Sequence, residues 1–399
     1  MKNAARWLTG AKSLFSEAVP VKGGNTHVTI RSIDILNILA FQRRLSRNNA
    51  DPKFAPAQQK KMIRDEFHLD FCDGINVLIG GNGVGKTSML KMIYAATQWS
   101  FQQTDPGKAR TLLQFFSEHL KDHEAMKTRG HQNDDSMFRV SDMKHSFEYY
   151  LSNGGVFNSD NWIGLNIPAV FIPTTEMLSH AKGFLAMNQK YSMPFDGTLV
   201  DIIMNASLPE TKTVSVTMKN ILHTLSVVID GTVIQNDDIF YIQKKDGSKV
   251  DFSLEAEGYR KFGLLWKLIR NGLLEPGSIL LWDEPEANLN PELYPVLVDV
   301  LLELQKNSVQ MFIATHSYNL AKYLEIRRKK QEQVQFHNLY RENPEGPDTT
   351  QTVFPEVNAG QVINSISAYR MDDLPFNHIM MADESLLNEV YDLRGEAQI

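Results

Sequence analysis

At 399 residues, 42% of them hydrophobic and 22% charged, the chain can bury a large core and reads as one α/β domain carrying an insertion. A formal net charge of −6 argues against wholesale coating of nucleic acid, and a single cysteine, Cys72, excludes an internal disulfide and fits a reducing, cytoplasmic compartment. No run reaches the roughly 18 apolar residues that a membrane span needs.

Residues 1–25 read as an N-terminal arm, a short amphipathic helix around Trp7, Leu8, Leu14 and Phe15 rather than a signal peptide. Val28, Ile30, Ile33, Ile35, Ile38 and Phe41 mark opening strands over 26–41. A polar excursion over 42–65 follows, with Arg43, Arg44, Lys60 and Lys61 as one cationic cluster.

The apolar run Ile75, Val77, Leu78, Ile79 leads into Gly80, Gly81, Asn82, Gly83, Val84, Gly85, Lys86 and Thr87. This stretch fits the phosphate-binding pattern G-x-x-x-x-G-K-[ST]. The chemistry needs that composition: glycines let consecutive backbone N–H groups turn inward on phosphates, Lys86 reaches the β and γ oxygens, and the Thr87 hydroxyl ligates magnesium. A helix starting near Lys86, taking in Ser88 and running to about Gln98, adds its positive dipole end. No [NT]-K-x-D guanine-reading motif occurs, which argues against a GTPase; the expected ligand of this loop is a nucleoside triphosphate with magnesium.

Residues 101–220 are expected to form an inserted lobe. Within it the chain reads as an aromatic helix over Leu112 to Phe116, an exposed loop at His131 to Asp135, strand-like material over Phe147 to Phe157 and at Trp162, and a strand over Ala169 to Ile172 ended by Pro173. Sustained heptads are absent, which disfavours long coiled-coil arms within the insert. Asp230-Gly231 and Asp246-Gly247 each signal a hairpin between β-rich flanks, such as Val227, Ile229 and Val233, or Phe240, Ile242 and Val250.

Ser278, Ile279, Leu280, Leu281 and Trp282 form an apolar strand that ends in Asp283 and Glu284. A carboxylate at the end of a buried parallel strand can hold magnesium through its water shell, which assigns Asp283 the metal; Glu284 is then placed to orient and deprotonate the attacking water. Glu286 either contacts the nucleotide or a partner subunit, or caps a turn. Asn290 suits an N-cap and Pro291 a first helical position before Leu293, Val296, Leu297, Val300, Leu301 and Leu304 at helical spacing. A third strand, Gln310 to Ala314, ends in Thr315, His316 and Ser317, where His316 is expected to sense the γ-phosphate. Arg327 to Lys330 form the second cationic cluster, and 341–399 reads as a linker and a tail with helix-like segments from Val362 to Leu393.

The stretches Gly80 to Ser88, Asp283 to Pro291 and Ala314 to Ser317 resemble the ABC-type ATPases. Glu286 after Pro285 and the Asn-Leu-Asn-Pro turn are similar to the soluble branch that holds OLD nucleases, RecF-like and SMC-like proteins and the stand-alone ATPases of bacterial anti-phage systems of the Septu or PARIS type. The resemblance covers 70–100 and 253–325 and implies a P-loop NTPase with an ABC-type core, a mixed sheet with flanking helices and antiparallel β elements, built from 26–100 and 221–340. It also implies a sandwich dimer in which each ATP is held by one subunit's P-loop and the other's signature segment. That segment departs from the pattern: Glu255 to Lys261 lacks Ser-Gly-Gly. Gly258 keeps the close backbone approach in one reading, and Arg260 or Lys261 either supplies a cation across the dimer or belongs to a solvated basic helix start. Thr174 to Ser179 stands where the class places its metal-contacting loop, with Glu176 the candidate there.

The expected function is therefore an ATP-hydrolysing switch that forms at least a homodimer and serves a separate effector protein in anti-phage defence. The alternative is a RecF-like DNA-maintenance ATPase; nucleic acid is not the favoured partner.

Overall fold

The computed structural model describes residues 27–41, 67–101, 112–117, 120, 123–127, 135–151, 156–191, 193, 195–329, 332–341 and 362–367. The expected N-terminal arm, the 42–65 excursion, the loop residues 131–134 and most of the tail lie outside them. Strands run over β1 (Ser32–Leu36), β2 (Phe67–Asp70), β3 (Ile75–Gly80), β4 (Met137–Ser141), β5 (Ser146–Tyr150), β6 (Val156–Asp160), β7 (Ala169–Ile172), β8 (Gly231–Asn236), β9 (Ile239–Lys244), β10 (Lys249–Asp251), β11 (Ile279–Asp283), β12 (Gln310–Thr315), β13 (Val334–Arg341) and β14 (Val362–Ser367). The helices are α1 (Lys86–Trp99), α2 (Leu112–Phe116), α3 (Phe184–Tyr191), α4 (Gly197–Ala206), α5 (Val216–Val228), α6 (Glu257–Arg270), α7 (Tyr294–Lys306) and α8 (Tyr318–Arg327).

The central sheet has the order β14-β13-β3-β12-β11-β7. Its strands are parallel except β14, which pairs antiparallel on one edge. Strands β3, β11 and β12 are buried at every residue, as continuous apolar runs must be when both faces of a parallel sheet are covered. Side chains alternate between the faces. Ile75, Val77, Ile79, Leu280, Trp282, Met311 and Ile313 face a layer with residues of α4 to α8 and the small sheet β10-β9-β8. Leu78, Phe171, Ile279, Leu281, Phe312 and Ala314 face α1 and the antiparallel sheet β2-β1-β4-β5-β6. Sandwiched there, α1 buries Met89, Leu90, Met92, Ile93, Tyr94, Ala95 and Ala96, the all-round burial of a core helix. Full burial of a large apolar side chain such as Phe312 contributes roughly 1.5–3 kcal/mol over leaving it exposed.

Three expectations are corrected. The insertion is not a lobe apart: β4 pairs with β1, and β7 pairs with β11, so strands of 101–220 complete both large sheets. Asp230-Gly231 is not a hairpin turn, because Val227 and Val228 end a helix capped by Ser215, and the hairpin turns instead between Asn236 and Ile239. Helix spacing at Met218, Ile221 and Leu225, all buried, outweighed the local Asp-Gly signal. The hairpin at Asp246-Gly247 stands, with Gly247 at φ +86°. Within the tail, 362–367 is a strand rather than a helix, its edge position filled by β-branched Val362, Ile363 and Ile366.

Candidate functional site

In this sheet the register aligns Ile79 with Thr315 and Asp283 with Ala314. Gly80, Asp283 and His316 therefore emerge together at the carboxyl ends of neighbouring parallel strands, where open α/β sheets bind ligands. Gly83 (φ 74°) and Gly85 (φ 97°) take left-handed backbone, and Gly85 is the N-cap of α1. A Cβ at Gly85 would also sit 2.5 Å from the ring of buried Phe41, and one at Gly80 would sit 2.3 Å from the Leu339 carbonyl oxygen. Gly81, Asn82 and Gly83 are exposed along the rim of the loop, Val84 is buried beneath it, and Ser88 is half-buried in the first turn of α1.

The Lys86 ammonium is buried and donates to the carbonyls of Gly80 (2.7 Å) and Gly81 (2.9 Å). Burial pushes its pKa down, while Glu284, Asp283 and Glu286 pull it up. A charged donor is thus held at the loop, where phosphate oxygens can replace the two carbonyls. The Thr87 hydroxyl donates to Asp283, 3.1 and 3.0 Å from its two carboxylate oxygens. Burial raises the Asp283 pKa, opposed by the hydroxyls of Thr87 and Thr174 and by Lys86. One hydroxyl and one carboxylate converging on a point form an oxygen donor set that fits magnesium, which takes few protein ligands and fills its shell with water and phosphate oxygens.

Glu284 follows with φ 50°, a left-handed conformation that costs a residue with a Cβ about 1–2 kcal/mol. Its N–H donates to the Ala314 carbonyl (2.9 Å), and its carboxylate meets His316 Nδ1 at 3.0 Å. With Nδ1–H donating to that carboxylate, Nε2 is left as the second face of the ring. His316 itself lies in the short turn between β12 and α8, whose N-cap is Ser317.

Neighbouring side chains hold this turn. Lys261 Nζ donates to the carbonyls of Glu284 (3.2 Å) and Ala287 (2.5 Å). Glu286 Oε1 accepts from the Thr315 hydroxyl (2.5 Å) and the His316 N–H (3.3 Å). Burial pushes the Lys261 pKa down and the Glu286 pKa up. Glu286 thus ties the turn to β12 rather than capping it alone.

In the Glu255–Lys261 segment, Gly258 packs against Leu289 of the turn after β11, whose Cδ1 lies 3.0 Å from where a Cβ would stand. Glu257 accepts from Asn288 Nδ2 at 2.9 Å. The Arg260 guanidinium pairs with Glu176 (2.9 Å), and Glu176 also accepts from the N–H groups of Leu178 (2.5 Å) and Ser179 (3.2 Å). Both cations considered for a role across a dimer are thus engaged within their own chain. Sequence reasoning assigned Lys261 no contact with the Glu284 turn and Thr315 no role at all. The available signal was that Lys261 falls on the apolar stripe of α6 with Leu264, Leu265 and Leu268, and a lysine on such a stripe must find buried acceptors.

Residues 176–322 match the protein family described as "AAA domain, putative AbiEii toxin, Type IV TA system". The arginine transport ATP-binding protein ArtP of Haemophilus influenzae is 40% identical over 53 residues, 13% of this chain and 22% of that protein. The chain thus spans about a fifth of the length of that curated relative. Among solved structures, the SMC head domain of Thermotoga maritima is similar at TM-score 0.42 and 11% identity, over 85% of this chain and 99% of that one. An SMC head domain with an extended coiled coil, bound to the C-terminal domain of ScpA from Pyrococcus furiosus, is similar at TM-score 0.46 and 8% identity, over 91% of this chain and 99% of that one. The fold is that of an α/β P-loop NTPase, a mixed sheet with flanking helices, and the matches in sequence support an ABC-like, ATP-binding protein. No helix among the described residues is long and apolar enough to cross a membrane.

Proposed function

We propose that this chain hydrolyses ATP and that its ATP-bound form associates, at least as a dimer, to switch a separate effector protein. The observation that carries the reading is the meeting of Thr87 with Asp283, beside Lys86 and the Glu284–His316 pair. Lys86 and the loop N–H groups bind and neutralise the phosphates. Thr87 and Asp283 would hold magnesium, which would supply positive charge to offset the negative charge that builds in the transition state. Glu284 takes a proton from water as its oxygen bonds to the γ-phosphorus and the bond to the β-γ bridging oxygen breaks, releasing ADP and phosphate. His316, whose Nδ1 meets the Glu284 carboxylate, keeps Nε2 for the transferred group in this reading.

Self-association is supported by the motif resemblance and by the exposed start of α6, where Leu254 is 80% exposed just ahead of Glu255. The defence role is supported by the same resemblance and by the matched family, whose description names a toxin–antitoxin system. Of the second cationic cluster, Arg327 pairs with Asp299 and Arg328 donates to the Val334 carbonyl, which weakens a reading in which it grips DNA.

The test is the mass in solution, by light scattering after size exclusion, of wild-type and Glu284→Gln protein with and without ATP and magnesium, beside phosphate release. Hydrolysis by the wild type and an ATP-driven dimer of the Glu284→Gln protein are expected. A mass unmoved by nucleotide refutes the switch, and salt-dependent binding of duplex DNA by the isolated protein would replace it with the DNA-maintenance reading.

A further inference from the structure

We propose that Lys261 and Glu286 are positioning residues that clamp the turn after β11 from two sides, so that Glu284 keeps its left-handed backbone and its carboxylate stays against His316. The proposal rests on the reading of Glu284 as the group that activates water.

Three observations carry it. The Glu284 carbonyl accepts two donors, the Ala287 N–H at 3.0 Å and Lys261 Nζ at 3.2 Å, while the same ammonium bonds the Ala287 carbonyl at 2.5 Å. A cation 4% exposed is thereby plugged into the oxygens of a single turn. On the opposite side, Glu286, 5% exposed, draws the Thr315 hydroxyl and the His316 N–H onto one carboxylate oxygen, while its Oε2 is buried with no hydrogen-bond partner. Third, Glu284 holds φ 50° although it has a Cβ, and a strained conformation persists only where its surroundings over-determine it. Lys261 fixes the carbonyl of Glu284, and Glu286 fixes the histidine that the Glu284 carboxylate must meet.

The clamp has a mechanical consequence. Lys261 belongs to the first turns of α6, the helix whose start also packs Gly258 on Leu289 and bonds Glu257 to Asn288. A displacement of the start of α6, such as a second copy of the chain would impose by docking there, moves the Lys261 ammonium and with it the Glu284 carbonyl. The hydrolytic carboxylate is thereby wired to the exposed helix start, with Lys261 the side chain that reaches the Glu284 carbonyl itself.

The experiment compares Lys261→Met, Lys261→Arg, Glu286→Ala and Glu286→Gln in the full chain. Steady-state ATP hydrolysis, binding of a fluorescent ATP analogue and backbone hydrogen exchange without nucleotide are read on each. Lys261→Met should lower kcat about 10–100-fold with KM and analogue affinity unchanged, and speed exchange about 10-fold in peptides covering 283–289. Lys261→Arg, which still donates to carbonyls, should recover most of the rate. Glu286→Ala should speed exchange across 314–318 and lower kcat, whereas Glu286→Gln, whose amide oxygen still accepts both bonds, should stay within about 3-fold of wild type. In the Glu284→Gln background, Lys261→Met should cost nothing further, because its effect runs through Glu284. Unchanged exchange over 283–289 in Lys261→Met overturns the clamp, as does a loss of rate that adds fully to that of Glu284→Gln. An inactive wild type would instead sink the ATPase reading, and the exchange data would still decide for or against the clamp.

Discussion

The two halves of the candidate site are built in different ways. The phosphate half is backbone: a contiguous loop with left-handed Gly83 and Gly85, backed by Phe41 and by the carbonyl of Leu339. The half proposed to hydrolyse is side chain: Glu284 meets His316 between turns that Lys261, Glu286 and Thr315, from separate elements, contact. A loop whose geometry is local tolerates change around it. A pair whose geometry is borrowed from neighbours does not.

The largest expected effect falls on the hydrolytic half. Glu284→Gln keeps the shape of the side chain and its contact with His316 but loses the base, so ATP turnover should fall about 10³-fold, within the range for a general base. Analogue affinity should hold, because Lys86 and the loop are untouched. Rapid turnover by this variant would show that the phosphate half alone suffices.

The reciprocal break is Lys86→Ala. It removes a buried ammonium and two hydrogen bonds to loop carbonyls that phosphates would otherwise inherit. At about 1.5–3 kcal/mol for a charged hydrogen bond, ATP affinity should drop at least about 100-fold by titration, with melting temperature little changed. Retained affinity would mean that the glycine loop binds phosphate through backbone donors alone.

How much of this was legible in the sequence follows the same division. Gly80 to Thr87 are neighbours in the chain, so composition and spacing mark them as one loop between a strand and a helix; that Asp283, Glu284 and His316 come together is readable because each stands at the end of an apolar strand, and parallel strands bring their ends together. Arg260 could not be read, because its partner Glu176 lies 84 positions away, and a cation at a helix start looks alike in sequence whether it faces solvent, a second subunit or a buried carboxylate. The same blindness to long-range pairing hid the strands of 101–220. Phe147 and Tyr149 were plainly strand-like, yet nothing local says that β4 will lie beside β1 rather than in a lobe of its own.

That ion pair offers a smaller test. Arg260→Met leaves Glu176, whose side chain is 3% exposed, with backbone donors alone. Stability in denaturant should fall by about 2–3 kcal/mol, since removing one partner strands a buried charge, while ATP affinity of the isolated protein should change less than about 3-fold. A large loss of nucleotide affinity with unchanged stability would return Arg260 to the nucleotide.

The smallest effect per step comes from pH, and it separates the halves without touching either motif. His337 on β13 is fully buried in register with Leu78, behind the phosphate loop, with Nε2 3.3 Å from Asn76 Oδ1. Burial pushes its pKa down from 6.5 to about 3. The unfolded chain therefore binds a proton at this ring over a window in which the folded chain does not. The stability contributed by the neutral ring is fully present above pH 6.5 and is lost as pH falls through the window toward 3, at up to about 1.4 kcal/mol per pH unit. In His337→Phe, which fills the site without a titrating group, the slope of unfolding free energy against pH between about 6 and 4 should flatten by close to one proton. Because His337 supports β3 rather than β11, hydrogen exchange in acid should accelerate in β3 and β13 before the turn after β11. The reverse order would mean that the hydrolytic half is the weaker one.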